Sequence, residues 1–488
     1  MDAIEIIENS VEQYVAGNSL YNEYSKHWQY MLESFIGSKE YENANHLMRY
    51  QLETASEYGA RLRSTPLQNH CASIIDVYTS FIFKTPPTRD LGRLADDPRT
   101  NSILQDADQD GRSFNSFMKD VATFNSVFGH SWIIVAKPNT GAITQADEIA
   151  SQTRPYLNLI TPMMMLDWRW ERQDSGAYEL VYIKYIEEAL AKSKTIREWT
   201  KETIRTVTVD DGKIVRAEAT ENGLGKIPAV CSYNKRGVIR GIGTSDIADI
   251  ADTQRYIYNL ISEIEQTIRL DSHPSLAVTE NTILSAGAGS VIQMPDDLDP
   301  GLKPYILQSS GANITNILAT IDMCVESIDK MANTGAVRAV ESKTMSGVAM
   351  QTEFVQLASK LSEKADSLEL TEEHIWRLIS EYMGYPYEAN IDYPHQYNIR
   401  DNNADLEFYM KAKVAGIQNE GFNKEINKRI VELVVEDPQK LNEIYQAMDE
   451  PEFVPHEMMN PQTGEIITVT AQAQHLELTA RGFVHTDG

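Results

Sequence analysis

Ser245-Asp-Ile-Ala-Asp-Ile-Ala-Asp-Thr-Gln-Arg-Tyr-Ile-Tyr-Asn-Leu-Ile-Ser-Glu-Ile-Glu-Gln-Thr-Ile-Arg-Leu270 is the stretch on which the fold turns. Ile247, Ile250, Gln254, Ile257, Ile261, Ile264 and Ile268 recur at alternating steps of 3 and 4 residues, an a/d seam interrupted by one glutamine. The period predicts a helix over Ser245–Leu270, about 26 residues and roughly 39 Å long at ~1.5 Å per residue. After 45 residues a second run keeps the same rhythm through Ile314, Ile317, Ile321, Cys324, Ile328 and Met331. It predicts a second helix over Asn313–Asn333. Each seam covers about two-sevenths of its helix, so both rods must bury a narrow stripe against neighbours. A coiled-coil hairpin closed within one chain is one way to do so, and association between copies is another.

Between the rods lies Asp271–Gly311, with strand-like Ser275-Leu-Ala-Val-Thr279, a small-residue stretch Ser285-Ala-Gly-Ala-Gly-Ser290 and the acidic Pro295-Asp-Asp-Leu-Asp-Pro300. This is too long and too structured for a plain connector, and reads as a compact module with a turn-rich tip. Asn333–Gly347 has glycines near both ends and few large apolar residues, and reads as a mobile loop. Val348–Met383 resumes an amphipathic helical pattern.

Toward the N-terminus, about 130 residues read as helical. Asn69–Phe83 carries Ile74, Ile75, Val77, Tyr78, Phe81 and Ile82, and Lys84-Thr85-Pro86-Pro87 stops that helix, because proline lacks the amide donor. From Ser131 to Val230 the texture changes to strands: Ser131–Val135, Tyr156–Ile160, Tyr178–Tyr185, Thr203–Val209 and Lys213–Ala217, separated by turn signals such as Asp211-Gly212. One small antiparallel sheet set among helices is expected there. The C-terminal part is mostly helical over Asn403–Met448, then acidic, with nine Asp or Glu and one Lys between Glu432 and Glu465. Asn460-Pro-Gln-Thr-Gly464 between apolar runs is a turn signal for a hairpin. The fold class is therefore α+β, mainly helical.

The 488 residues suffice for more than one core, and 42% hydrophobic with 24% charged residues is an ordinary globular composition. No apolar run approaches the ~20 residues of a membrane-spanning helix, and the acidic N-terminus lacks the basic start of a signal peptide; a cytosolic product with no membrane partner is expected. Cys71, Cys231 and Cys324 are far apart and odd in number, which argues against a disulfide framework or a cysteine-rich zinc site. Lys and Arg number 44 and Asp and Glu 71, leaving a net charge of −27. A surface this acidic repels phosphates and excludes an ordinary nucleic-acid reader with a basic footprint, though not a protein that touches DNA without gripping it.

Other motifs yield to plainer readings. Asp106-Ala-Asp108-Gln-Asp110-Gly111 copies the start of an EF-hand loop, but Phe117 stands where the loop needs its bidentate carboxylate, so an acidic helix start explains it better. Trp168-Arg169-Trp170 offers stacking faces, yet beside Pro162-Met-Met-Met-Leu166 it reads as strand packing. Gly237, Gly241 and Gly243 precede the first rod, but Asp246, Asp249 and Asp252 make phosphate binding there improbable. The sequon Asn313-Ile-Thr315 is idle in a cytosolic chain. The ten histidines are dispersed, with no HExxH pattern and no pair at ligand spacing, so no metal or other cofactor is expected. Neither a nucleotide-binding loop nor a nucleophile elbow occurs, and nothing supports an enzyme.

Several short stretches stand in a particular order. Tyr58-Gly-Ala-Arg-Leu62 precedes Thr65-Pro-Leu-Gln-Asn69 and then Phe81-Ile-Phe-Lys-Thr-Pro-Pro87. Asp167-Trp-Arg169 precedes the strand Tyr178–Glu187. Leu224-Gly-Lys-Ile-Pro228 precedes Gly243-Thr-Ser-Asp246, and Ser346-Gly-Val-Ala349 opens the long helix. In this order and spacing, over roughly Tyr58–Glu388, the chain resembles the portal proteins of tailed bacteriophages, the head-to-tail connectors. The four groups are similar, in turn, to the family's helix ending in Thr-Pro-Pro, its wing strands, its entry into the first stem helix, and the start of the long helix after its tunnel loop.

That resemblance implies a portal fold assembled as a ring of twelve around an axial channel. Residues 1–240 would be the wing, 241–270 the first stem helix, 271–311 the clip, 312–333 the second stem helix and 334–347 the tunnel loop. Residues 348–385 would be a long helix returning through the wing, 386–455 the crown and 456–488 a C-terminal tail. The seam residues Ile247, Ile250, Ile257, Ile261, Ile264, Ile268, Ile314, Ile317, Ile321 and Ile328 would form the stem's seam, packing helix on helix within a subunit and between subunits of the ring. Either Asp322, Glu326, Asp329 and Lys330 of the second helix, or Asp249, Asp252, Asn259 and Glu263 of the first, would line the channel. Arg338, Ser342, Lys343 and Thr344 of the loop would touch DNA, and Asp296, Asp297 and Asp299 of the clip would meet the packaging motor. The implied partners are double-stranded DNA, read without sequence specificity, the terminase large subunit, a head–tail adaptor, the major capsid protein and scaffold. The implied setting is the portal vertex of a virion assembled in the host cytoplasm, with roles in DNA packaging and ejection. A helical scaffold or adaptor that forms hetero-oligomers through the two seams is the alternative.

Overall fold

Capping side chains set the limits of the N-terminal helices. Asn18 accepts from the Tyr21 amide to open Ser19–Ile36, a Thr54/Glu57 capping box opens Ala55–Ser64, and Asn69 accepts from the Ala72 amide to open His70–Ile82. The last of these helices ends before Pro86-Pro87, as its sequence predicts. Ser113 caps Phe114–Phe128, which ends on Gly129 at φ 90°. The computed structural model describes residues 11–138, 145–272, 275–277, 305–307, 312–338, 347–395 and 397, then 402–415, 419–435, 456–470 and 472–485, with single positions at 299, 440–441, 444–445 and 448. The chain divides into two units, 1–397 and 398–488.

In the first unit the two rods are helices Ala248–Ser272 and Ala312–Ala332, within a few residues of their predicted limits. They pack on one another, and the first also packs on Ser19–Ile36 and His70–Ile82. Ile247, Ile250, Ile257, Ile321, Cys324 and Ile328 are buried in the main core, with Ile261, Ile264 and Ile317 half-buried against it. Ile314 is half-buried as well, and Ile268, at the far end, is 49% exposed. The seam is thus closed inside one chain. The seam residues pack the rods on one another and on the N-terminal helices, the inter-helix part of their expected role.

Gln254, the one polar residue in the seam, is fully buried. Its Nε2 donates to the Ser34 carbonyl at 3.0 Å, and its Oε1 accepts from the Cys71 amide at 2.9 Å. Ser34 sits in the last turn of one helix and Cys71 in the first turn of another, where backbone groups have no partner within their own helix. One amide therefore satisfies two helix ends and fixes the rod against both.

The strands form two sheets where the sequence suggested one. Tyr156–Ile160, His130–Ala136 and Ala229–Tyr233 make an antiparallel three-stranded sheet with His130–Ala136 in the centre. Met165–Arg172, Tyr178–Ala189, Ser193–Thr200, Thr203–Asp210 and Lys213–Glu221 make a five-stranded meander. The central strand of the smaller sheet is buried at every position, so it reads as a continuous apolar run, whereas the outer meander strand Lys213–Glu221 is largely exposed. Trp132 packs on Trp168 and Trp170, each at 6.2 Å between ring centroids, which ties the sheets together and uses the tryptophans as strand packing.

The long helix, Gly347–Met383, runs 37 residues and packs against Ala229–Tyr233 and His70–Ile82. Beyond it Asn390–Asp392 pairs with Thr88–Asp90, so residues 386–397 belong to the first unit and not to the following region expected from 386 onward. Their anchor is Glu372, fully buried, which accepts from Arg89 (Nη2, 3.1 Å), Tyr393 Oη (2.7 Å) and Trp376 Nε1 (3.1 Å). The second unit holds helices Asn402–Val414 and Glu420–Val434 and, further on, strand His456–Met459 paired with Ile466–Val469, the hairpin its turn signal predicts. Mixed helices and antiparallel strands make the protein α+β.

Replacing Gln254→Leu completes the isoleucine seam yet orphans a buried amide and a buried carbonyl. Equilibrium denaturation should show a loss on the order of 1–3 kcal/mol. A gain in stability would mean that Gln254 does not hold these helix ends.

Candidate functional site

The roots of both rods meet at a buried charge. Asp246 lies just before the first rod, and its carboxylate receives Lys364 Nζ at 2.5 Å and Lys360 Nζ at 3.2 Å from successive turns of the long helix. Lys364 also donates to Ser126 Oγ (3.0 Å) and to the Asn234 side chain. Lys360 donates to Tyr78 Oη at 2.9 Å, and Tyr78 in turn donates to the Ala332 carbonyl at the last residue of the second rod, at 2.5 Å. Burial alone would raise the Asp246 pKa, but the two lysines outweigh it and hold it at about 2. One carboxylate thus binds the start of one rod, the end of the other, and the helix that follows them. Beside it Gly129 and Gly243 pass backbone to backbone. A Cβ on Gly243 would lie 1.9 Å from the Gly129 carbonyl oxygen, so this approach requires glycine.

The first rod's face opposite its seam is occupied by the chain's own N-terminal segment. Asn259 accepts from the Met48 amide at 2.7 Å and donates to the His46 carbonyl at 3.2 Å. Glu263 accepts from Tyr50 Oη at 2.7 Å, Asp252 from Tyr30 Oη at 3.1 Å, and Ser262 from Arg61 Nη1 at 2.9 Å. Arg61 is held from behind by Glu53 at 2.8 Å. Asp249 is exposed. The strap formed by residues 46–64 covers the middle of this face, and the sequence offered no signal for it because its contacts are single polar side chains without a period.

The second rod keeps its polar face open. Asp322, Glu326 and Lys330, at i, i+4 and i+8, are all exposed, and Leu318 and Met323 flank them at 48% and 63% exposure. Asp329, the fourth member of that predicted set, is turned inward. It accepts from Arg338 Nη1 at 2.7 Å and from Thr334 Oγ1 at 3.2 Å.

Arg338 ends a short helix, Gly335–Arg338, where the sequence predicted loop. Besides Asp329, its guanidinium donates to His70 Nδ1 at 2.8 Å. Burial, and then the neighbouring Arg338 charge, push the His70 pKa down, so the imidazole accepts as a neutral ring. In this chain Arg338 is thus engaged by Asp329 and His70 and does not stand as the free loop cation its sequence suggests. Ser342, Lys343 and Thr344 lie outside the described residues, as do Asp296 and Asp297. Asp299 is exposed. The module between the rods contributes the antiparallel pair Ser275–Ala277 and Tyr305–Leu307.

The EF-hand-like carboxylates form a turn after Pro98–Gln105 and not the expected helix start. Asp106 accepts from the Gly111 amide and from Arg154, both at 2.9 Å, and Asp108 pairs with Arg112. The three cysteines are free thiols. Among the described residues no helix is long and apolar enough to cross a membrane. Among the described residues two groups bring three potential metal-ligand atoms within 4.8 Å of one another: Glu369, Asp392 and His395 in the first unit, and His456, His475 and His485 in the second. The second contradicts the reading of dispersed histidines, because strand–helix–strand folding joins residues that spacing separates.

Comparison with known proteins gives one family. The model described as "Phage portal protein, SPP1 Gp6-like" matches residues 26–420. Among solved structures, one chain from "Neck of empty GTA particle computed with C6 symmetry" is similar at a TM-score of 0.47 and 10% identity, covering 82% of this chain and 99% of that one. One from "Virion of native gene transfer agent (GTA) particle" is similar at 0.44 and 10%, covering 75% and 89%. No curated protein matches.

The Asp246 carboxylate has a folded pKa below its unfolded value, so its contribution is present above pH ~4 and fades as pH falls through about 2. Asp246→Asn should remove this acid sensitivity and lower stability at neutral pH on the order of 2–4 kcal/mol by leaving two lysines without a counter-charge. Thermal melts at neutral pH and near pH 3 measure both effects. An unchanged melting point at neutral pH would overturn the role of this junction.

Proposed function

The chain belongs to the phage portal proteins of the SPP1 Gp6-like family, and from that premise we propose that it forms a ring of twelve at one capsid vertex and conducts double-stranded DNA during packaging and ejection. The family is structural and not enzymatic. In this reading the two rods are the stem, Asp271–Gly311 is the clip that docks the terminase motor and later the head–tail adaptor, and the sheets with the N-terminal helices are the wing. The region after residue 397 would be the crown, and contacts with the major capsid protein and scaffold would complete a vertex assembled in the host cytoplasm.

The observation that carries this reading is the open acidic face of the second rod. Asp322 and Glu326 are exposed there, whereas Asp252, Asn259 and Glu263 of the first rod are tied by hydrogen bonds to Tyr30, Met48 and Tyr50 of the chain's own N-terminal region, although its two carboxylates stay exposed. The second rod is therefore our choice for the channel wall. With a net charge of −27 per copy, such a wall offers phosphates no stable site, and DNA slides. Leu318, Met323 and Tyr256, exposed on the rods at 48%, 63% and 52%, are apolar and supply neighbour contacts in the ring now that the seams are closed. Transient phosphate contact falls to Lys343, with Ser342 and Thr344 beside it.

Light scattering should return an assembly mass roughly twelve times the 55.0 kDa of the chain, and negative-stain images should show rings with a central hole. A species of 55.0 kDa without a hole would overturn the proposal. In purified rings, Asp322→Lys with Glu326→Lys should turn weak DNA association into strong, salt-dependent binding, steepening log K against log salt by about 0.9 per phosphate neutralised. Packaging yield should fall while rings still form. No change in DNA association would exclude this face as the channel wall.

A further inference from the structure

His456, His475 and His485 lie 19 and 10 residues apart in sequence and on three different elements: strand His456–Met459, helix Gln472–Ala480 and strand Val484–His485. Their meeting follows from the faces these elements present. Met458 and Leu478 are buried in the small core of this region. His456 stands two residues before Met458 on the strand, and His475 three before Leu478 on the helix, so both continue the core-facing side outward by one step. His485 is the cross-strand partner of Met458 and therefore shares that face. The rings converge with centroids 4.5, 5.0 and 5.2 Å apart, His475 Nε2 lies 3.2 Å from His485 Nε2, and one ligand atom from each residue falls within 4.8 Å of the others.

We propose that these three imidazoles bind one divalent transition-metal ion, zinc being the best match, with the fourth tetrahedral position left to water. Zinc–nitrogen bonds of about 2.0–2.1 Å separate tetrahedral ligand atoms by roughly 3.4 Å, which small rotations of the three rings reach from the observed spacing. Three side-chain donors and one open position form a complete coordination set for this ion.

A second observation points to the same ligand. Among the described residues the core beneath the histidines consists of Met458, Val469, Leu478 and Phe483, with Ile467 half-buried against it. A segment of about 30 residues with so small a core falls below the size at which burial alone holds a fold, and a disulfide, a metal or association must supply the rest. All three cysteines lie in the first unit, which leaves no disulfide for this one. A metal that joins strand, helix and strand at one point would close the segment, and its binding energy would become folding energy.

The test uses the full-length chain, stripped with a chelator and desalted, then titrated with zinc chloride near neutral pH against a chromogenic competitor. One zinc per chain is expected, with cobalt chloride giving a tetrahedral visible spectrum in its place. His475→Ala and His485→Gln should each weaken binding at least ~100-fold, more than the 10–100-fold cost of losing an outer-sphere partner. Because His485 is exposed and glutamine keeps its size and polarity, a folding defect does not explain that loss. Zinc should also slow proteolysis within residues 456–485 of the native chain and not of the variants. Absence of stoichiometric zinc, an octahedral cobalt spectrum, or equal binding by both variants would overturn the site.

Discussion

A single buried carboxylate organises the larger unit. Asp246 is placed between two ammonium groups of the long helix, and through Lys360 and Tyr78 it reaches the carbonyl at the end of the second rod. Removing a charge from water is costly, and only close opposite charge with further hydrogen bonds offsets that cost. The energetic demand therefore becomes a geometric one: the rods emerge from the body at this point, in this relative position, or the charge is left exposed to an apolar interior. The backbone contact of Gly129 with Gly243 works to the same end, because any side chain there would drive the first rod away from its root.

Further along the first rod, rigidity comes from polar side chains placed among isoleucines. A seam made only of isoleucine would be greasy and close to degenerate in register. Gln254 removes that freedom by satisfying one amide and one carbonyl that belong to two other helices. The strap acts similarly on the outer face, where Arg61 and Tyr50 each meet a partner on the rod, as does Tyr30 from the helix Ser19–Ile36.

The second rod differs in what it leaves uncovered. Its root is tied by Asp329, Thr334 and Arg338, yet its acidic face and its exposed leucine and methionine face away from the body. Two exposed carboxylates, with Lys330 one turn on, beside apolar surface are an arrangement that a ring of identical copies uses naturally, with apolar flanks meeting neighbours and charges meeting the lumen. Within the second unit, histidines extending a four-residue core show the same economy, with coordination chemistry placed where apolar area runs short.

Local patterns along the chain were enough to place its main helices and the C-terminal hairpin. The steps of 3 and 4 in Ile247–Ile268 and Ile314–Met331, the prolines after Phe83 and the Asn460–Gly464 turn are local signals, read within one or two turns of chain, and the two rods, the helix before the prolines and the hairpin formed close to where they were expected. Folding alone decided the partners. Asp246 reads as a solvated first-turn aspartate until Lys364, 118 residues away, is brought against it. Arg338 reads as a free loop cation until Asp329 and His70 enclose it, and three histidines read as scattered until a strand, a helix and a strand share a face. The seams were legible as apolar stripes, but whether a stripe closes within one chain depends on the shape of the helices that come to cover it. Periodicity is a property of neighbours along the chain, whereas burial and charge pairing are properties of neighbours in space, and only the tertiary structure supplies those.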